Sequence, residues 1–515
     1  MKKKDKILII DFGSQYTQLI ARRVREIGVY SEIVSPSLSA NRIIEMNPLG
    51  VILSGGPETV TSNTASKVDI DLFSSGIPIL GICYGMQTSA KELGGDVVSS
   101  DIREFGHASI SLANSSMLFE GVNLDEGLLD VWMSHGDKVA GLPKGFEVIA
   151  SSINCSIAGF QNISQNIYGL QFHPEVTHTN QGKKILSNFL FKICSCSKNW
   201  STSDIIKSMV SNVQSEVKNE KVLLGLSGGV DSSVVAMLLH KSINNNLICI
   251  FVDHGLLRLG EVEEVMSTFE ALGIDIRMVN ASELFLSKLT GVIDPEKKRK
   301  IIGNTFIDVF ESEANKIQHV KWLAQGTIYP DVIESSSKNH SSSIIKSHHN
   351  VGGLPEKMNL KLLEPIRELF KDEVKKIGAE LNTPNHILSR HPFPGPGLGI
   401  RIMGEVNETR IAILQKADKI FIDELKKHNL YNKLSQAFVV YLPVKSVGVV
   451  GDGRRYEDVL ALRAVETVDF MTATWAHLPY EFIGKVSNRI VNELSSISRV
   501  VYDCTGKPPA TIEWE

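Results

Sequence analysis

The chain opens on a pattern of short apolar runs, each followed by a stretch with helical spacing. Residues 6–10 (KILII) predict a buried strand. Residues 14–28 place Leu19, Ile20, Val24 and Ile27 at intervals of three and four, as one face of a helix requires. The runs 51–56 (VILSGG), 77–82 (IPILGI) and 167–172 (IYGLQF) follow, each closing on glycine or a polar turn. A polar, serine-rich stretch at 194–204 has no periodicity and marks a boundary. Beyond it the alternation restarts with 221–226 (KVLLGL), a helix over 234–240 and 247–253 (LICIFVD). A third segment opens on the Pro/Gly-rich string 391–401. It predicts a helix over 408–427, strands at 437–443 and 447–452, a helix over 456–469 and another over 481–494. Strands alternating with helices imply parallel sheets covered on both faces. The expected fold class is therefore α/β, with two doubly wound, mostly parallel-sheet domains and a smaller α+β C-terminal domain. The expected division is 1–197, 198–390 and 391–515. In such sheets ligands lie beyond the carboxyl ends of the strands, so the residues just after each run hold the chemistry.

Composition narrows the class. The 515 residues are 43% apolar and 22% charged, enough to fill several cores and too apolar for a disordered chain. The net charge of −4 argues against a nucleic-acid partner. Six irregularly spaced cysteines do not form a disulfide framework, and the apolar start after the basic run is too short for a signal peptide. No apolar run approaches the ~20 residues that span a bilayer. These features predict a reduced, cytoplasmic protein without a membrane partner.

The first chemical constellation is Gly81-Ile82-Cys83-Tyr84-Gly85-Met86-Gln87, directly after a strand run. It has the glycine-x-nucleophile-x-glycine form of a sharp strand-to-helix turn, with cysteine as nucleophile. The helix that follows aims its positive end at the sulfur and favours thiolate. His173-Pro174-Glu175 follows another strand run. His173 is placed to act as base and Glu175 to orient it, completing a triad. Ser54-Gly55-Gly56-Pro57 offers backbone N–H groups for an oxyanion, with Gly55 and the N–H of Tyr84 as donors. Ser134-His135-Gly136-Asp137 is expected to line the substrate pocket, and His135 is a rival candidate for the base. Over residues 1 to 193 the chain resembles the class I glutamine amidotransferases. The resemblance rests on ILIIDFGSQYTQLIARRVRE, SGGP, GICYGMQ, SHGD and QFHPE. It implies that Cys83 attacks glutamine, His173 is the base, Glu175 its orienter, and that Gly55, Tyr84, Gln87, Ser134 and His135 hold glutamine and the oxyanion.

The second constellation is Ser227-Gly228-Gly229-Val230-Asp231-Ser232-Ser233, between a strand run and a helix. Small residues, hydroxyls and a helix N-terminus make an anion nest sized for phosphates. The lysine-bearing P-loop pattern is absent from this loop, which disfavours a γ-phosphate site. SGGVDSS resembles the signature of the ATP pyrophosphatases, or PP-loop enzymes. The resemblance implies that ATP is cleaved between its α and β phosphates, with Mg2+ bridging the phosphates and Asp231 as a ligand. It also places adenine and ribose at the strand edge that includes Val252. The run Lys297 to Lys300 reads either as a solvated helix face or as a lid over pyrophosphate, and 326–331 and 347–350 resemble segments around the nucleotide.

The strings 390–399 and 507–515 then resemble the C-terminal domain of the GMP synthetase family. That resemblance implies a homodimer, and a xanthosine monophosphate (XMP) site to which Arg390, Lys507, Ile512 and Glu513 contribute. Segments 334–345 and 503–506 depart from the family's pattern. The implied reaction consumes ATP, XMP, glutamine and water and yields AMP, pyrophosphate, GMP and glutamate, through an adenylyl-XMP intermediate. The rivals are another PP-loop ligase and a silent nucleotide sensor. A thiolating ligase would be expected to carry a working cysteine in the second segment, where Cys249 lies inside a strand run. A sensor has no use for Cys83, His173, Glu175 and Asp231 together.

Overall fold

A computed structural model describes residues 5–62, 65–317, 320–336, 360–450, 453–467, 470 and 472–515. The chain falls into two compact units, Met1–Ile205 and Ile206–Glu515.

The first unit is built on a nine-stranded sheet. Its strands are β1 (Lys6–Ile10), β2 (Tyr30–Val34), β3 (Gly50–Leu53), β4 (Ile79–Ile82), β5 (Asp96–Leu112), β6 (Leu128–Gly141), β7 (Glu147–Ser151), β8 (Gly159–Asn162) and β9 (Ile167–Leu170), in the order β2-β1-β3-β4-β9-β8-β7-β5-β6. The stretch from β2 to β9 is parallel, and the remainder is antiparallel. Strands β3, β4 and β9 are wholly buried, as short runs of branched residues should be when helices cover both faces. The expected helix at 14–28 forms over Thr17–Ile27 and ends on Gly28 at φ 107°, a left-handed stop that glycine accepts without strain.

The second unit holds a fully parallel sheet and a mixed one. The parallel sheet contains β10 (Lys221–Gly225), β11 (Leu247–Asp253), β12 (Ile276–Asn280), β13 (Val320–Ala324) and β14 (Lys361–Leu363), in the order β12-β11-β10-β13-β14. The mixed sheet contains β15 (Gln436–Val450), β16 (Gly453–Glu466), β17 (Thr474–Trp475) and β18 (Ile497–Tyr502). One apolar core runs from Leu223 and Ile250 of the parallel sheet to Phe421 and Leu462 beside the mixed one.

Two expectations fail in the mixed sheet. Residues 456–469 were expected as a helix, but 456–466 belong to β16, which pairs antiparallel with β15 and parallel with β18, and 468 and 469 lie outside the described residues. Positions 459 to 465 are buried without a break, so both faces of the strand are covered and the period of two disappears from the sequence. The strand run expected at 437–443 and the described part of the run expected at 447–452 form one long strand ending at Val450, with a register shift between Leu442 and Ser446. The remaining helices form near their predicted places, at Glu408–Lys427 and Tyr480–Glu493.

Candidate active sites

In the first unit, β4 delivers Cys83 to the mouth of the helix Tyr84–Glu92. Cys83 has φ 51° and ψ −106°, a conformation few residues with a side chain adopt. The flanking glycines make the turn possible. A Cβ on Gly81 would lie 2.6 Å from the backbone of Gly85, and one on Gly85 would lie 2.3 Å from Leu53 O. Gly85 N donates to Ser54 O at 2.9 Å, which ties the turn to the SGGP segment.

The His173 backbone N–H donates to Trp132 O at 3.0 Å, which fixes the residue beside β6. Its Nδ1 lies 2.7 Å from Glu175 Oε1, and both side chains are almost wholly buried. Burial alone would push the imidazole down. The Glu175 carboxylate and the Cys83 side chain outweigh it and hold His173 well above its ordinary value. The Tyr16 ring packs edge-on to the imidazole at 5.1 Å, and Arg23 Nε donates to Glu175 O at 2.9 Å. A Cβ on Gly55 would lie 3.4 Å from His173 Cε1, so the glycine backbone passes along the imidazole.

The other predicted residues gather at the same turn. Cys83 Sγ donates to Ser134 O at 3.4 Å. Gln87 Nε2 donates to Asp137 O at 2.8 Å and to Gln171 Oε1 at 3.3 Å. The Tyr84 ring is buried against Phe12 and its hydroxyl donates to Ser66 O, so the group it offers toward the sulfur is its main-chain N–H. His135, the rival base, is paired across the sheet with Glu104. Burial holds its pKa below the ordinary value, against the pull of Glu104. Sequence reading did not single out Gln171, whose Nε2 lies 3.7 Å from Cys83 Sγ, although it sits inside the QFHPE string.

In the second unit, β10 ends and the chain turns through Ser227–Gly229 into the helix Val230–Ile243. Gly228 has φ 72°, which suits glycine, and a Cβ there would meet Val265 and Arg390 at 2.9 and 3.2 Å. Ser227 Oγ lies 3.0 Å from Ser232 Oγ, and Ser233 Oγ donates to Gly229 O at 2.7 Å. Gly229 caps the helix with no side-chain bond, so the first-turn N–H groups keep their positive potential for an anion. Asp231 stands in that first turn. Its Oδ2 accepts from Lys371 Nζ at 2.5 Å, while its buried Oδ1 has no hydrogen-bond partner. Sequence reading gave no signal for Lys371, which opens a helix 140 positions away. Val252 is buried in the core at the penultimate position of β11. Gly326 packs on the loop, since a Cβ there would lie 3.2 Å from Ser232 N. Residues 347–350 and most of the serine-rich stretch lie outside the described residues.

The residues predicted for XMP each hold contacts within the protein. Arg390 Nη1 donates to Gly228 O at 2.8 Å, and its guanidinium pairs with Glu261 and Glu264, so it belongs to the phosphate loop. Lys507 Nζ donates to Phe470 O at 2.7 Å, and its backbone bridges to Ala473. Ile512 is buried beside Phe438 in a small core. Glu513 is gripped by Nε and Nη2 of the buried Arg401, at 3.1 and 2.8 Å, and by Gln436 at 2.6 Å. The run 297–300 lies on the helix Pro295–Asn315. There Lys298 is wholly buried, donates to Ile402 O at 2.7 Å and pairs with Glu515. That lysine is therefore neither on a solvated face nor part of a lid.

Comparison with known proteins places these geometries. Residues 8–193 match the model of class I glutamine amidotransferases, residues 201–305 that of NAD synthase, and residues 423–514 that of the GMP synthase C-terminal domain. A glutamine-hydrolysing GMP synthase of Cellvibrio japonicus (strain Ueda107) is 60% identical over 99% of this chain and 98% of its own length. One of Legionella pneumophila subsp. pneumophila is 60% identical over 100% of this chain and 99% of its own. One of Haemophilus influenzae (strain PittGG) is 58% identical over 99% of each. With relatives this similar from end to end, the chain belongs to the family of glutamine-hydrolysing GMP synthases.

Proposed function

We propose that the chain converts XMP to GMP with nitrogen from glutamine and energy from ATP cleaved to AMP and pyrophosphate. The observation that carries this reading is the buried pairing of His173 Nδ1 with Glu175 at 2.7 Å beside the strained Cys83, in a chain that also holds the SGGVDSS loop. The work divides among segments 1–197, 198–390 and 391–515.

In the first segment the Cys83 thiol passes its proton to His173, and the thiolate attacks the carboxamide carbon of glutamine. The N–H groups of Gly55 and Tyr84 receive the oxyanion, and Gln87, Ser134 and His135 shape the pocket. The charged His173 gives its proton to the departing ammonia. The now neutral imidazole takes a proton from water, which cleaves the thioester and releases glutamate. Glu175 holds the ring in one tautomer throughout.

In the second segment, Ser227, Gly228, Gly229, Val230, Asp231, Ser232 and Ser233 cradle the pyrophosphate of ATP, with the nucleoside along Val252. The 2-oxygen of XMP attacks the α-phosphorus and pyrophosphate leaves into the nest. Ammonia then attacks C2 and AMP departs. Adenylation turns a poor leaving oxygen into a good one. The free buried Oδ1 of Asp231 fits Mg2+, which would neutralise charge on the phosphates; Lys371 supplies a second positive group at the same carboxylate. Arg390, Lys507, Ile512 and Glu513 are assigned to XMP. Contact through Glu513 requires it to exchange Arg401 and Gln436 for the purine.

A homodimer through the third segment is supported by the exposed apolar side chains of Val444, Val447, Val449 and Tyr456 on the β15–β16 hairpin. A reducing, cytoplasmic setting is supported by six unpaired cysteines. Mixing the protein with Mg-ATP, XMP and glutamine tests the whole reading. Equal amounts of AMP, GMP and glutamate are expected. ADP in place of AMP would refute the assignment of residues 227–233.

A further inference from the structure

A second group of chemistry-bearing side chains lies in the first unit, outside the triad. Glu104 on β5 and His135 on β6 face each other in the antiparallel register. His135 Nε2 stands 3.1 Å from Glu104 Oε2. Cys155 arrives from the turn after β7, which is closed by Ser152 N–H to Cys155 O at 2.8 Å and Cys155 N–H to Ser152 Oγ at 3.0 Å. One ligand atom from each residue lies within 4.8 Å of the other two.

The His135 side chain is 1% exposed, and its imidazole meets the Glu104 carboxylate and the backbone of Asp137. Imidazole, carboxylate and thiol, three metal-ligating donor types, thus converge in one buried place.

We propose that Glu104, His135 and Cys155 form a binding site for a soft divalent cation of the zinc class. Thiolate, imidazole and carboxylate are the donor types such an ion takes, and three of them leave a fourth tetrahedral position open. With one donor pair 3.1 Å apart and all three within 4.8 Å, metal–ligand distances of ~2.0–2.3 Å need an inward movement of the donors to close the site. Asn154 Nδ2 donates to Glu104 Oε1 at 3.2 Å and orients the carboxylate from outside. The Cys155 thiol donates to Ile157 O at 3.3 Å. Binding breaks that bond and releases the thiol proton to solvent, one per ion. Ser134, whose carbonyl accepts from Cys83, is the neighbour of His135, so the ion would brace the strand beside the nucleophile.

The test uses the full chain, stripped with a chelator, loaded with zinc chloride and desalted before metal analysis. One zinc per chain is expected for the unaltered protein and for Cys83→Ala. The stoichiometry should fall at least tenfold in Cys155→Ser and in Glu104→Gln. Cobalt(II) in place of zinc should give a thiolate charge-transfer band that Cys155→Ser abolishes. Circular dichroism checks that both variants are folded, and either folded variant suffices. Zinc retained in a folded Cys155→Ser or Glu104→Gln protein, zinc lost only in Cys83→Ala, or no zinc retained by the unaltered chain would each overturn the proposal.

Discussion

Lys371 Nζ meets Asp231 Oδ2 at 2.5 Å, joining a helix midway along the second unit to the first turn after the phosphate loop. With Asp231 assigned to the phosphates, Lys371 is placed to offset charge on the departing pyrophosphate. Lys371→Ala is expected to lower AMP formation by ~10²–10³, as loss of one preorganised donor does. Lys371→Arg should restore part of it. Glutamate release measured without nucleotide should be unchanged, because the amidase lies in the other unit.

Cys83→Ala separates the two chemistries. Synthesis of GMP from added ammonium salts should continue, while glutamine-dependent synthesis disappears. A product assay with each nitrogen source checks this. Loss of both would show that the elbow serves something besides the amidase.

His173 gives a pH prediction with a definite sign. Its folded pKa is raised, so its charged form stabilises the fold fully below the ordinary imidazole value. That contribution fades as pH rises through the folded value. Glu175→Gln removes the carboxylate that holds the proton. The loss of stability should therefore be present at acid and neutral pH and vanish at high pH. Glutaminase activity should fall by ~10²–10⁴, through loss of the oriented base. Urea midpoints across the pH range and a glutamate assay read the two effects independently.

Arg463 lies toward the C-terminal end of β16 and is wholly buried. It pairs with Asp503 at 3.2 Å and donates to the carbonyls of Thr505 at 2.5 Å and Thr511 at 3.2 Å. Arg463→Ala strands a carboxylate and several carbonyls, and should cost about 3–5 kcal/mol. Urea unfolding monitored by the fluorescence of Trp514, which donates to Asp503 at 3.0 Å, checks it. A change under about 1 kcal/mol would mean that the segment 503–511 is held by other contacts.

What could be read from the residues alone was whatever the chain writes contiguously. The Cys83 elbow and the SGGVDSS loop are each a strand, a turn and a helix in succession, so local patterning contains their geometry. The His173–Glu175 pair was legible for the same reason. Lys371 was not, because 140 positions separate it from Asp231 and a lysine opening a helix is ordinary. The Glu104–His135 pair depends on strand register, which no local string states. Residues 456–469 were misread because burial on both faces removed the alternation that distinguishes strand from helix. Lys298 shows the limit of charge runs: four consecutive basic residues look solvated, yet the helix turns one of them into the core to meet Glu515.

The backbone of Cys83 has a consequence for how this chain tolerates change. At φ 51° and ψ −106° a side chain is held at a cost of about 1–3 kcal/mol that glycine would not incur. Cys83→Gly should therefore melt at a higher temperature than the active chain while releasing no glutamate. Selection for heat resistance alone would erode the nucleophile, and only selection for turnover keeps it. Thermostabilised variants sought without an activity screen should accumulate replacements at this turn first.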